Sequence, residues 1–183
     1  MKDFLKKNFA LLIAFTLPVL LIVVVALSIY LPAFFLSTDY NFVYSTCTDP
    51  GSRYNSQCND YLNKKYSVDN DKLVVNKVTD EQDLNFTGRL FLHDTEKNES
   101  REITLDEAKS LKLNSLLTSP DGVSVSYSYD RGADFIFLSS GSTRGYYLIK
   151  GKSKKKINLI NQNERYYYRD NFHFIGWVLD GKN

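Results

Sequence analysis

The chain has 183 residues and a nearly balanced charge, with 23 Lys or Arg against 21 Asp or Glu and a formal net charge of +2. Hydrophobic residues are unevenly spread: Phe9–Leu36 holds 24 among 28 residues and no charge, whereas residues 38–183 carry 20 basic and 20 acidic groups. The neutral part excludes nucleic-acid binding by bulk positive charge. The composition excludes a collagen-like or low-complexity chain, and the apolar run predicts a protein that is not purely soluble.

The apolar run is long enough to cross a membrane, because a helix rises about 1.5 Å per residue and a bilayer core needs roughly 20 apolar residues. Residues 9–36 are therefore predicted to form one transmembrane helix in contact with the lipid bilayer. Pro18 and Pro32 lie inside the run. We expect Pro18 to kink the helix and Pro32 to end it, so that the span itself covers about residues 9–31.

The charges on either side of the run predict its orientation. Three lysines precede it, Lys2, Lys6 and Lys7, whereas the first charge after it is Asp39. Because Lys and Arg are retained on the cytoplasmic side, residues 1–8 are expected in the cytoplasm. The rest of this single-pass protein of the cell membrane is then periplasmic or extracellular.

A cleaved signal peptide is a competing interpretation, with small residues at Ala26 and Ser28. A secretory apolar region is typically 7 to 15 residues long, about half the length of this run. The sequence therefore favours an uncleaved anchor.

Part of the run, Phe15-Thr16-Leu17 followed by the aliphatic stretch Leu20–Ala26, resembles the start of a type IV pilin or pseudopilin. The resemblance covers about a dozen residues. It implies a structural subunit whose leader is removed before Phe15, which is the alternative to a permanent anchor.

Cys47 and Cys58 are the only two cysteines, and they flank the turn-forming stretch Thr48–Ser52. In an oxidising compartment they are expected to form a disulfide. Free thiols and a metal site are the alternatives. A metal site needs tighter spacing and further ligands, and His93 and His173 lie far along the chain, so the sequence predicts neither a metal nor a cofactor.

The rest of the chain is predicted to be mainly β. Residues 37–71 are expected to form an irregular, Tyr-rich collar that carries the disulfide, and residues 72–183 an antiparallel β-meander domain. Thr104–Glu107 fits a capping box, which predicts a short helix to about Leu113. Ser119–Gly122 predicts a turn that opens an alternating strand. The predicted strands are Lys72–Val78, Gly88–His93, Arg101–Thr104, Val123–Tyr129, Phe135–Leu138, Tyr146–Lys150, Lys155–Ile160, Tyr166–Tyr168 and Phe172–Leu179, of which the fourth to the seventh form the meander.

Three segments of this domain carry a resemblance: Gly88–Asp94, Glu102–Leu105 and Ser119–Gly122 with its strand. They resemble the TolB-type (WD40-like) β-propeller repeat, and Gly176–Lys182 resembles the start of another repeat. The resemblance covers about residues 86–183 and implies blade-like sheets. Propellers have 4 to 8 blades of some 40 residues, so this length predicts an incomplete propeller or a sandwich. The whole layout also resembles single-pass membrane proteins of the bacterial envelope.

The sequence holds no convincing catalytic centre. Neither histidine has a Gly-x-Ser-x-Gly elbow or an acidic partner nearby. Gly151-Lys152-Ser153 lacks the upstream glycine of a phosphate-binding loop, so no nucleotide is expected. The five lysines within residues 150–156 are interpreted either as contacts to anionic groups or as a solvated hairpin tip that protects a sheet edge.

The functional expectation is a membrane-anchored extracytoplasmic module that binds or scaffolds an envelope protein or a glycan and is not an enzyme. Aromatic rings are the candidate partner surface, because they stack on sugars and proteins; filling the core is their alternative role. The candidates are Tyr146, Tyr147, Tyr166, Tyr167, Tyr168 and Trp177. We also expect an unpaired sheet edge or an aromatic patch that a partner covers.

Overall fold

The computed structural model describes residues 8–34, 36–48, 57–78, 86–130, 143–160 and 172–180. The chain divides into two compact units, Met1–Leu36 and Ser37–Asn183. The first holds one helix and the second is mainly β. The predicted turn at 49–52 and the predicted strands Phe135–Leu138 and Tyr166–Tyr168 lie outside the described residues.

Helix α1 covers Phe9–Phe34, 26 residues, or about 39 Å at 1.5 Å per residue. It is the one helix of the described residues that is long and apolar enough to cross a membrane. The prediction that Pro32 ends it is wrong, because the helix continues for two further residues. Proline lacks one donor, but its fixed φ near −65° is a helical value, so the backbone direction is kept.

The second unit contains ten strands and two helices within its described residues. The strands are β1 Phe42–Thr48, β2 Tyr66–Asp69, β3 Lys72–Val75, β4 Thr87–Asp94, β5 Glu99–Ile103, β6 Leu113–Asn114, β7 Ser124–Asp130, β8 Thr143–Lys150, β9 Ser153–Lys156 and β10 His173–Val178. The helices are α2 Gln57–Lys65 and α3 Leu105–Ser110.

The larger sheet is antiparallel, with strand order β5-β4-β1-β10-β6. Strand β1 lies at its centre: Phe42 pairs with His93 of β4 on one side and with Trp177 of β10 on the other. The irregular collar predicted for residues 37–71 is therefore wrong, since this stretch supplies the central strand, α2 and β2. Strand β1 is buried on both faces, so its sequence shows no alternation of apolar and polar residues.

The smaller sheet has the order β7-β8-β9. Because β7 pairs directly with β8, from Ser124 opposite Ile149 to Asp130 opposite Thr143, no other strand lies between them. The predicted order of the four-strand meander, in which Phe135–Leu138 separates these two strands, is therefore wrong. The last predicted strand of the meander is also displaced, because the hairpin turns at Gly151, whose φ is +59°, and β9 begins at Ser153.

Two local predictions are confirmed. The side chain of Thr104 accepts a hydrogen bond from the amide of Glu107 at 3.2 Å and caps α3, whereas the carboxylate of Glu107 pairs with Arg101 and the helix ends at Ser110. The turn before β7 is closed by the amide of Gly122, which donates to the carbonyl of Ser119 at 2.9 Å. Its Gly122 has a φ of +84°, a value that a side chain would disfavour.

Candidate functional site

The predicted aromatic surface is wrong for the three candidate rings that the structure describes. Trp177 is 0% exposed, Tyr147 2% and Tyr146 8%, so none of them is available to a partner. They fill the core, which was the alternative interpretation of these rings. Tyr166, Tyr167 and Tyr168 lie outside the described residues.

Aromatic rings cover one face of the larger sheet and explain this burial. Phe42 lies at the centre, with its ring centroid 5.5 Å from Trp177 and 4.8 Å from the ring of His93. Tyr44 stacks on Phe91 at 5.2 Å. This face is a packed aromatic layer rather than a ligand surface, and neighbouring rings in such a layer attract each other through their edges and faces.

The smaller sheet covers this aromatic face. Phe172, which precedes β10, has its ring centroid 4.0 Å from that of Tyr146 of β8. The amide of Ile160, just after β9, donates to the hydroxyl of Tyr44 at 3.2 Å. The side-chain amide of Asn98 donates to the carbonyl of Lys156 at 3.0 Å. The two sheets are therefore joined by ring contacts and by hydrogen bonds.

A β-bulge turns Trp177 toward this face. The register of β1 against β10 shifts between Val43 and Tyr44, which pair with Gly176 and Phe174. A Cβ on Gly176 would lie 2.8 Å from the carbonyl oxygen of Asn114 in β6. Glycine is required here because β6 approaches the backbone too closely for any side chain.

The opposite face of the sheet carries the apolar core and the disulfide. Cys47 of β1 is bonded to Cys58 of α2, with their Cα atoms 6.2 Å apart, and both are buried. The bond fixes α2 over the central strand, where Leu62 and Tyr66 join the core. No group of three His, Cys, Asp or Glu side chains that would suit a metal occurs among the residues described.

His93 is a buried histidine held in its neutral form. Its Nδ1 lies 2.9 Å from the hydroxyl oxygen of Ser100, whose hydrogen is directed to the carbonyl of Asn158 at 3.3 Å. The other ring nitrogen, Nε2, is buried and has no hydrogen-bond partner in the described part of the chain. Burial lowers the pKa of His93 to about 4. The negative charge of Asp94 raises this pKa only in part, and the positive charge of Lys155 lowers it further.

A hydrogen-bonded cluster fixes the first residues of the β domain. The hydroxyl of Thr38 donates to one carboxylate oxygen of Asp121 at 2.9 Å, and the amide of Asp39 donates to the other at 3.2 Å. Ser119 also donates to Asp121. Burial raises the pKa of the Asp121 carboxyl, but these hydrogen bonds outweigh burial and hold it below the usual value.

Two exposed leucines lie beside this cluster. Leu116 is 66% exposed and Leu117 60%. The amide of Val125, near the start of β7, donates to the carbonyl of Leu117 at 3.3 Å, and Thr118 bridges to Ser124. The leucine pair therefore lies at the end of the smaller sheet where β7 begins.

The same end carries the tip of the β8–β9 hairpin. Ser124 pairs with Ile149, and Lys150 pairs with Ser153 across the turn. Lys150 and Lys152 are exposed there. We call this region the proximal end, defined by Thr38, Asp39, Leu116, Leu117, the turn Ser119–Gly122 and the hairpin tip 150–153.

No protein-family model, no curated protein and no solved structure matches this chain. The resemblance to the TolB-type repeat stays a prediction. Its segments lie in two different sheets, with Gly88–Asp94 in β4 of the larger sheet and Ser119–Gly122 before β7 of the smaller one.

Sequence reasoning missed the proximal end. The available signal was Leu116-Leu117, an apolar pair placed directly before the Ser119–Gly122 turn, where polar residues are expected. The partnership of Thr38 with Asp121 spans 83 residues. No local pattern encodes a contact of that separation.

Proposed function

We propose that the protein is a membrane-anchored binding or scaffolding module whose disulfide-bearing β domain lies outside the cytoplasm. The observation that carries the proposal is the pairing of an uncharged apolar helix, Phe9–Phe34, with a separate domain in which Cys47 and Cys58 are bonded. Disulfides persist in oxidising compartments, which favours a periplasmic or extracellular domain. The lysines before the helix favour a cytoplasmic N-terminus.

We favour a binding role over catalysis because histidines, the side chains that most often transfer protons near neutral pH, are largely removed from solvent in this domain. His93 is fully buried, and burial also lowers the pKa of His173, so both are neutral at physiological pH. The domain is instead a packed body of two larger sheets with a disulfide and an aromatic layer. Such a body suits the display of a surface to an envelope protein or a glycan.

Of the two arrangements expected for the sheets, the sandwich is the one we propose. The aromatic face of β1, β4 and β10 is covered by the smaller sheet, as in face-to-face packing. A sandwich completes its core within one chain, so the domain is expected to be monomeric.

The topology is tested with protease on intact spheroplasts that express the full chain with a C-terminal tag. The expected result is loss of the tag from intact cells while a cytoplasmic marker survives. Full protection of the tag until the cells are lysed would contradict the proposal. Alkylation without reductant should leave Cys47 and Cys58 unmodified in the same cells, and modification of both would place the domain in a reducing compartment.

N-terminal sequencing of the mature protein separates the remaining interpretations. A chain that begins at Met1 or Lys2 supports the uncleaved anchor. A chain that begins at Phe15 would support the pilin-like subunit, and one that begins after Ser28 a cleaved signal peptide.

A further inference from the structure

We propose that the proximal end of the β domain is a lipid-contact surface. Leu116 and Leu117 enter the interfacial layer of the leaflet that faces the domain, and Lys150 and Lys152 bind the phosphates of anionic phospholipids. This inference rests on the proposed membrane anchoring and names the bilayer surface as a second point of attachment.

The side chains of the leucine pair are largely exposed. Leu116 and Leu117 are 66% and 60% exposed, although the domain buries leucines such as Leu113 and Leu148 completely or nearly so. Leu105, at 39%, is the other large apolar side chain that the described part of the β domain exposes. Adjacent exposed leucines on an otherwise polar surface mark a site of contact with a membrane or a partner.

The position of the pair favours the bilayer as the occupant. Thr38 follows the last helical residue, Phe34, by four residues, which span at most about 14 Å when extended. Thr38 and Asp39 are hydrogen-bonded to Asp121, and the leucine pair precedes that residue by only a few positions. A helix embedded in the membrane therefore keeps this end of the domain near the lipid surface, where binding is intramolecular and favoured by a high effective concentration.

Two exposed lysines at this end can bind the phosphates of an anionic leaflet. Lys150 and Lys152 project from the hairpin tip and are exposed. Of the two carboxylates at this end, Asp121 accepts three hydrogen bonds from Thr38, Asp39 and Ser119, and Asp39 is exposed. Each lysine near an anionic surface strengthens attachment roughly five-fold. Leucine beside lysine is the pattern of interfacial membrane binding, in which apolar insertion and electrostatic attraction act together.

The test places a tryptophan at the leucine pair of the full chain. Leu117→Trp is reconstituted into nanodiscs that contain phosphatidylglycerol with brominated acyl chains, which quench tryptophan on contact. Trp177 is the single native tryptophan and is 0% exposed, so its emission serves as an internal reference. We expect the added tryptophan to be quenched.

The matched control is Leu105→Trp. Leu105 follows β5, which runs parallel to β1 and away from the proximal end. It is expected to show no quenching beyond the wild-type level. Replacing phosphatidylglycerol by phosphatidylcholine, or introducing Lys150→Gln and Lys152→Gln together, should lower the ratio of attached to detached domain by about 25-fold, from five-fold per lysine.

The outcomes are distinguishable. Incorporation of the helix without quenching of Leu117→Trp would overturn the lipid-contact surface and leave the anchor intact. Equal quenching of both tryptophan variants would also overturn it, because the contact would not be specific to the proximal end. Quenching that is insensitive to lipid charge and to both lysine changes would overturn the assignment of the lysines. Failure of the chain to enter nanodiscs at all would contradict the anchor and this inference together.

Discussion

Acid should destabilise the β domain through His93, and the substitution His93→Gln tests this. The imidazole is 0% exposed, lies 4.8 Å from the ring of Phe42, and uses Nδ1 to reach Ser100. Protonation would place a charge and an unpartnered N–H at Nε2 in this apolar layer. The folded state therefore resists protonation, and the pKa falls from 6.5 to about 4.

The sign and size follow from linkage. Between pH 6.5 and about 4 the unfolded chain binds a proton at this site that the folded chain does not, so stability decreases as pH falls through this range. One pKa unit corresponds to about 1.4 kcal/mol. The full shift thus lowers the free energy of unfolding by about 3 kcal/mol near pH 4. About 2 kcal/mol of this decrease occurs between pH 7.5 and pH 5, where most carboxylates stay ionised.

The assay is equilibrium unfolding in urea at pH 7.5 and pH 5, followed by the fluorescence of Trp177 in the full chain in detergent micelles. The wild type should lose about 2 kcal/mol more between these pH values than His93→Gln. His93→Gln is expected to be less stable at pH 7.5, since glutamine fills the site imperfectly, but to depend less on pH. The double variant with His173→Gln should depend least, because burial also lowers the pKa of His173. An unchanged pH dependence in His93→Gln would refute this account of the buried imidazole.

Two further substitutions test the packing around the central strand. Gly176→Ala should destabilise the domain by about 1 to 3 kcal/mol, because its Cβ would lie 2.8 Å from the backbone oxygen of Asn114; Gly145→Ala meets only the flexible end of Lys156 at 3.4 Å and is the matched control in the same urea assay. Equal effects of the two alanines would show that the close approach of β6 is not what requires glycine. Replacing Cys47 and Cys58 by Ala should lower the free energy of unfolding by about 3 kcal/mol, because the bond closes a loop between residues 11 positions apart. Reduction of the wild type should lower the free energy of unfolding by a similar amount if the bond, rather than the volume of the side chains, is responsible.

The elements that could be predicted are those whose local pattern is enough to define them. Strand β7 alternates serines with Val125, Tyr127 and Tyr129, which is the pattern of a half-buried strand. The cap of α3 at Thr104 and the turn closed by Gly122 depend on side-chain and backbone chemistry within four residues. These features depend on residues that are close together in the sequence.

What could not be predicted depends on which faces become covered. Strand β1 has Ser45 and Thr46 in its middle, both buried, so it reads as a polar segment although it is central to the sheet. Tyr146 and Trp177 are compatible with either a surface or a core position until the two sheets pack against each other. The bulge at Ile175, between Phe174 and Gly176, interrupts the side-chain alternation of β10, which no period-two pattern anticipates.

The region that follows the helix leads directly into the central strand of the larger sheet. Thr38 and Asp39 are held by Asp121, and a few residues later Phe42 begins the central strand, which pairs along its length with β4 and with β10. Cys47, near the other end of this strand, is bonded to α2. A pull on the chain before Thr38 therefore acts along β1 and is opposed by two ladders of backbone hydrogen bonds and a covalent bond at once. Attachment through an edge strand would expose one ladder to peeling, so the central position of β1 suits a domain that is held from its N-terminal side.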